Sequence, residues 1–159
     1  MDSLQSLPLT HSWPVFEQGH RFDLGFVHGC DTALLAKPAP LPLDEHVLAR
    51  FGIGLWECDL NGDRLTWSQE VYDLFGLSRD ARVRRAEAVA LYCPDSCAQM
   101  EHLRAYAIKH CRGFTLDAEL RPRGGRTHRW MRLMASPVCV DGRVVRLHGL
   151  KQDVTHDYA

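Results

Sequence analysis

Between residues 114 and 121 the chain alternates without a break. Phe114, Leu116, Ala118 and Leu120 are apolar, while Thr115, Asp117, Glu119 and Arg121 are polar. A period of two puts one set on each face of a strand, so a half-buried β-strand is expected here. Gly124-Gly125 turns the chain into a second strand over 127–140, and Asp141-Gly142 turns it into a third over 144–152. Upstream, 53–60 and 64–67 read as two strands about Asn61-Gly62, a tight-turn dipeptide. Helices fall between these two groups. Ser68 is a candidate N-cap for a helix carrying Val71, Tyr72 and Phe75, which Gly76 closes. Short helices are expected over 78–93, best formed over 86–92. Pro94-Asp95-Ser96 then resets the chain, and 97–111 makes the longest helix. Five antiparallel strands flanked by several helices define an α+β domain.

Residues 1–43 read differently. They carry five of the eight prolines and little periodicity, and the run 37–42 predicts an extended linker. Trp13, Phe16, Phe22 and Phe26 make this extension more aromatic than a disordered tail. Burying one such ring is worth ~1.5–3 kcal/mol, so the arm is expected to pack. A short helix over 43–51, with Asp44 in its first turn and Gly52 at its end, opens the folded domain of residues 44–159.

Composition narrows the function classes. The chain has 159 residues, 45% hydrophobic and 25% charged, with a formal net charge of −1. That balance gives no electrostatic reason to expect nucleic acid or an anionic membrane as a partner. The first 20 residues lack the basic start and unbroken apolar core of a signal peptide. No window approaches the ~18 apolar residues of a membrane span. A cytoplasmic location with reduced thiols follows as the expectation. The six cysteines show no CxxC pair and are expected to act as small buried hydrophobes. Cys93 and Cys97 with a nearby histidine are the weak metal candidate.

Catalytic parts are missing. There is no GxSxG, no phosphate-cradling glycine loop, no HExxH, and no serine or cysteine with partners at a recognisable spacing. No enzymatic activity is expected. What the chain does contain is a series of small blocks in fixed order. Trp56, Asp59 and Gly62 lie in the first hairpin, Trp67-Ser68 enters a helix, and Pro94-Asp95 opens the long helix. Arg129-Trp130 and Asp153-Val154-Thr155 follow. In order and character this set resembles the PAS domains of bacterial sensor kinases and diguanylate cyclases, over about two thirds of the chain.

The resemblance implies a PAS fold with a five-stranded antiparallel sheet, and a sensing or interaction module. It implies a pocket between sheet and helices, with Trp56, Tyr72, Phe75, Met100, Leu103, Tyr106 and Trp130 as candidate lining. Asp153 and Thr155 would couple the last strand to an output segment. A homodimer through the N-terminal helix is expected, with a small-molecule ligand or a signalling partner such as a kinase or cyclase. Because the chain ends four residues after Thr155, the resemblance reads as a stand-alone or excised input domain. The alternative is a ligand-free interaction adaptor. A filled core and an exposed apolar patch would mark the adaptor, and a mixed polar and apolar cavity the sensor.

Cofactors are not expected. Flavin-trapping relatives carry an Asn-Cys-Arg-Phe-Leu-Gln type block, which Tyr92-Cys93-Pro94-Asp95-Ser96-Cys97 does not match. Haem-binding relatives place a histidine near the position of His102. The helical wheel sets His102 roughly 110° from the centre of an arc formed by Met100, Leu103, Tyr106, Ala107 and Cys111. His102 is therefore read as a structural or solvent-edge residue, with a haem-binding gas or redox sensor ligated through His102 as the less favoured alternative. Arg129 and Arg132, either side of Trp130, are read as solvent-facing strand residues, the alternative being that they hold a carboxylate ligand.

Overall fold

All five expected strands form, and a sixth joins them. The computed structural model describes residues 7–14, 20–23, 26–29, 45–124 and 127–158. The first elements are β1 (Thr10–Pro14), β2 (His20–Asp23), β3 (Phe26–Gly29), α1 (Glu45–Arg50), β4 (Ile53–Asp59) and β5 (Arg64–Trp67). Then come α2 (Gln69–Phe75), α3 (Arg85–Val89), α4 (Pro94–His110), β6 (Arg112–Leu120), β7 (Arg129–Val140) and β8 (Arg143–Asp153). A 3₁₀ turn at Thr155–Tyr158 closes the chain. The main sheet is antiparallel, in the order β1-β6-β7-β8-β4-β5, and β2 pairs with β3 separately.

Turn chemistry sets the hairpins. Asp141 and Gly142 have φ of 50° and 76°, as a two-residue turn matched to strand twist requires. Between β4 and β5 the positive φ values fall one residue later than expected, on Gly62 and Asp63. The Asp59 carboxylate explains the shift, because it accepts the Asn61 N–H at 2.9 Å and holds the chain in a side-chain turn.

The inner face follows the alternation. Phe114, Leu116, Ala118 and Leu120 on β6 are buried with Met131, Leu133 and Ala135 on β7 and Trp56 and Cys58 on β4. Val71, Leu74 and Phe75 of α2 and Met100 and Ala107 of α4 cover them. Each fully buried large side chain is worth ~1.5–3 kcal/mol.

One polar position departs from the pattern. Asp117 faces outward by register yet is 1% exposed. β1 and the 3₁₀ turn cover it: the Asp117 N–H donates to the Leu9 carbonyl at 2.7 Å, and the Tyr158 hydroxyl donates to its carboxylate. Arg132 donates to both Asp117 oxygens, at 2.8 and 2.9 Å. Arg132 is thus committed to a carboxylate of the chain itself and not to a ligand. Arg129 reaches the carbonyls of Asp73 and Leu74 at 2.7 and 3.0 Å instead of facing solvent.

β1 is the sixth strand, pairing from Thr10↔Leu116 to Pro14↔Arg112. The Trp13 ring lies over Gly113, where an added Cβ would come within 2.4 Å of three ring atoms. Trp13 Nε1 also donates to Thr115 Oγ1 at 3.2 Å. The arm thus packs at Trp13. Phe16 and the proline-rich run 37–42 lie outside the described residues, as do the side chains of Phe22 and Phe26.

The reduced-thiol expectation is corrected at one pair, since Cys111 and Cys139 are joined by a disulfide. Cys111 caps the C-terminus of α4 in the left-handed region. The register pairing Phe114 with Ala135 runs outward toward both cysteines, at the end of the β6–β7 ladder. Spacing along the chain conceals this, because the two are close only across the hairpin.

Candidate functional site

A cavity of about 50 Å³ lies between the inner face of the sheet and the helices. Its apolar wall is Trp56, Leu65, Trp67, Phe114, Leu133 and Leu147 from the sheet, with Ala88, Val89, Tyr92 and Met100 opposite. Four polar residues complete the lining: Cys58, Arg85, Arg104 and Lys151.

Lys151 is the unusual member. On β8, Leu147, Gly149 and Lys151 share the inward face, so register drives a lysine into the core. It is 7% exposed. Its Nζ sits 5.3 Å from the Trp56 and Trp67 ring centroids and 4.7 Å from that of Phe75. Trp67 and Phe75 stack at 5.0 Å, which builds the aromatic floor of this cage. Among the described residues Nζ has no hydrogen-bonding or ion-pair partner. Ring faces attract a cation, but they replace little of the lost hydration. Desolvation accordingly lowers the Lys151 pKa from 10.5 to about 7, and only negative charge on an ionised Cys58 would oppose it.

The other polar members are satisfied differently. Arg104 donates to Asp63 Oδ1 at 2.8 Å, and Arg85 pairs with Glu101. Burial raises the pKa of the Cys58 thiol, and burial likewise raises that of the Tyr92 phenol. The Trp67 indole N–H is buried with no partner among the described residues.

A pH dependence follows, with a definite sign. Across pH 7–9 the unfolded chain keeps the Lys151 proton that the folded protein sheds, so unfolding free energy should rise with pH. The rise is about 2 kcal/mol over that window, from the linkage relation. Above it, the raised Cys58, Cys93, Tyr92 and Tyr158 pKa values work in the opposite direction. Urea unfolding at pH 7, 8 and 9 should show the rise, and Lys151→Met should flatten it. A flat profile in the unsubstituted protein would refute the assignment.

The candidates from the sequence divide. Trp56 and Met100 line the cavity, and Phe75 lies beneath Lys151. Trp56 is also fixed by its indole N–H, which donates to the Met134 carbonyl at 3.2 Å. Tyr72 meets the Trp67 ring edge-on at 5.2 Å and does not line the cavity. Leu103 packs against the core outside it. Tyr106 is corrected: the buried stripe of α4 runs through Ser96, Met100, Leu103 and Ala107, leaving Tyr106 41% exposed with its ring 4.3 Å from His110. Trp130 is corrected as well. Its register places it on the opposite face, where it stacks on Tyr158 at 4.3 Å. His102 is exposed on α4, away from the cavity, so it is not placed to ligate haem there.

Asp153 and Thr155 do form a unit. Asp153 Oδ1 accepts from the Thr155 N–H at 2.9 Å and from its hydroxyl at 2.5 Å. Thr155 Oγ1 in turn accepts the Trp130 N–H at 3.1 Å. The Cys93 neighbourhood differs from the expected cysteine pair. Cys93, Glu119 and His128 bring their ligand atoms within 4.8 Å of one another, and Cys97 is not among them. His128 Nδ1 and Glu119 Oε1 lie 2.6 Å apart.

Sequence reasoning missed Lys151, Arg85 and Arg104. A period-two count along β8 puts Lys151 on the same face as Leu147, and that was the available signal.

Solved structures share this architecture. The chain is similar to a sensory box histidine kinase/response regulator from Burkholderia thailandensis, with 17% identity over 71% of this chain and 85% of that one, at a TM-score of 0.61. It is similar to the N-terminal domain of a diguanylate cyclase with PAS/PAC sensor from Marinobacter aquaeolei, with 15% identity, 67% and 99% coverage, and a TM-score of 0.61. An RNA-binding light-oxygen-voltage receptor matches at 17% identity and a TM-score of 0.58 over 66% of this chain, which spans only 30% of that receptor. No protein-family model matches the chain, and a comparison with curated proteins gives no match. The fold is the PAS fold. Among the described residues, no helix is long and apolar enough to cross a membrane.

Proposed function

We propose that the protein is a non-enzymatic sensory module that binds a small ligand between sheet and helices and relays its presence through its termini. The observation that carries this reading is the mixed polar and apolar cavity around Lys151, since a ligand-free adaptor would be expected to have a filled core. The fold is shared with input domains of a histidine kinase and a diguanylate cyclase, which makes a kinase or cyclase the natural output partner.

A short path joins cavity to exit. Lys151 stands two residues before Asp153 on β8, and the Asp153–Thr155 unit ties the departing chain to Trp130 of β7. Side-chain bonds to nearby backbone set the direction in which the chain leaves the sheet. Dimerisation would use the N-terminal helix, beside which Phe51 is 66% exposed.

Native mass spectrometry of protein purified from its own host should show a dimer carrying a stoichiometric small molecule. A monomer with nothing bound would refute the reading. Asp153→Ala should cost about 0.5–2 kcal/mol, the usual range for a lost capping bond. In a fusion to a kinase it should also impair output. Unchanged output from a folded variant would reduce the Asp153–Thr155 unit to a strand-end cap.

A further inference from the structure

The charges around the cavity do not balance. Three cationic side chains line it, and two carboxylates answer them. Asp63 is engaged by Arg104 and Glu101 by Arg85. Lys151 has no such counterpart among the described residues, and it is the most buried of the three cations. The unpartnered hydrogen-bonding group in the wall is also a donor, the Trp67 indole N–H. A site offering one unanswered ammonium group and a spare donor is complementary to one negative charge carrying acceptor oxygens.

We infer that the cavity binds a short-chain monocarboxylate, its carboxylate on Lys151 and its alkyl part against Trp56, Trp67 and Met100. This rests on the ligand-sensing reading above and names the ligand class. The volume of about 50 Å³ is a few times the ~10–15 Å³ that one water needs, which suits a molecule of a few heavy atoms. A dianion would leave its second charge unpaired in an aromatic cage, and a cation would meet the like charge of Lys151.

Binding should be linked to protonation. The groups facing Lys151 are Cys58 on β4, Tyr92 ahead of α4, Arg85 on α3 and Arg104 on α4. Burial keeps the Cys58 thiol and Tyr92 phenol protonated in this range, so Lys151 is the group that changes charge. A carboxylate needs the ammonium form, and its affinity should fall about tenfold between pH 8 and 9.

The test is titration of the full chain with propionate, followed by tryptophan fluorescence from Trp56 and Trp67. Propionamide is the uncharged isostere, and sodium chloride controls for ionic strength. Propionate should bind at least tenfold more tightly than propionamide, and Lys151→Met should remove that preference without unfolding the protein. Failure of propionate to bind, equal binding of propionamide, or unchanged propionate affinity in Lys151→Met would each overturn the inference. The sensory reading fails separately, on a native mass spectrum with no small molecule of any class.

Discussion

Gly149→Ala is expected to cost more than about 4 kcal/mol, the range reserved for large, mechanism-specific defects. The obstacle is space. A Cβ at position 149 would stand 1.9 Å from the Met134 carbonyl oxygen and 2.9 Å from its carbon. Both are backbone atoms of the adjacent strand β7, so no rotamer change relieves the contact. Position 149 is also central, paired with Trp56 on one side and Ala135 on the other. The crowded carbonyl is the one that accepts the Trp56 indole N–H, so the damage would reach the cavity wall. Urea denaturation measures the loss. A variant within about 1 kcal/mol of the parent would show that β7 and β8 can separate at little cost.

Asp117→Ala is expected to cost about 3–5 kcal/mol, as removal of one partner from a buried charged pair does. Asp117 has a fully buried carboxylate that accepts from Arg132 and Tyr158, and all of these bonds would be lost. Arg132 is 31% exposed, so it can turn toward water and hold the loss near the lower figure. The double substitution Asp117→Leu with Arg132→Met should recover much of it, because neither charge is then stranded. Equal losses for single and double variants would mean the pair contributes through packing alone.

The sheet was legible because its signal is local. A period-two alternation such as that over 114–120 depends only on one face being buried, and the dipeptide Asp141-Gly142 sets its own backbone geometry. β1 carries no such signal. Thr10–Pro14 is a mostly exposed edge strand ending in proline, held by its partner β6 and by Trp13. The Cys111–Cys139 pair needed the register of a hairpin that spacing alone does not supply. Tyr106 and Trp130 misled for a common reason. Aromatic rings invite assignment to a core, yet each lies on a face whose neighbours are His110 and Tyr158 respectively. Lys151 was missed for the opposite reason, since a lysine in a strand is ordinarily solvent-facing.

The position of β1 governs which strangers the sheet can admit. A strand edge accommodates one guest at a time, and Thr10–Pro14 already occupies the free side of β6. Among the described residues the opposite border is β5, only four residues long and with Arg64 and Thr66 exposed. A short, charged border recruits extended peptides poorly. A partner that docks on β6 by adding a strand must therefore compete with the protein's own arm, and whatever lifts Trp13 from Gly113 would open that berth.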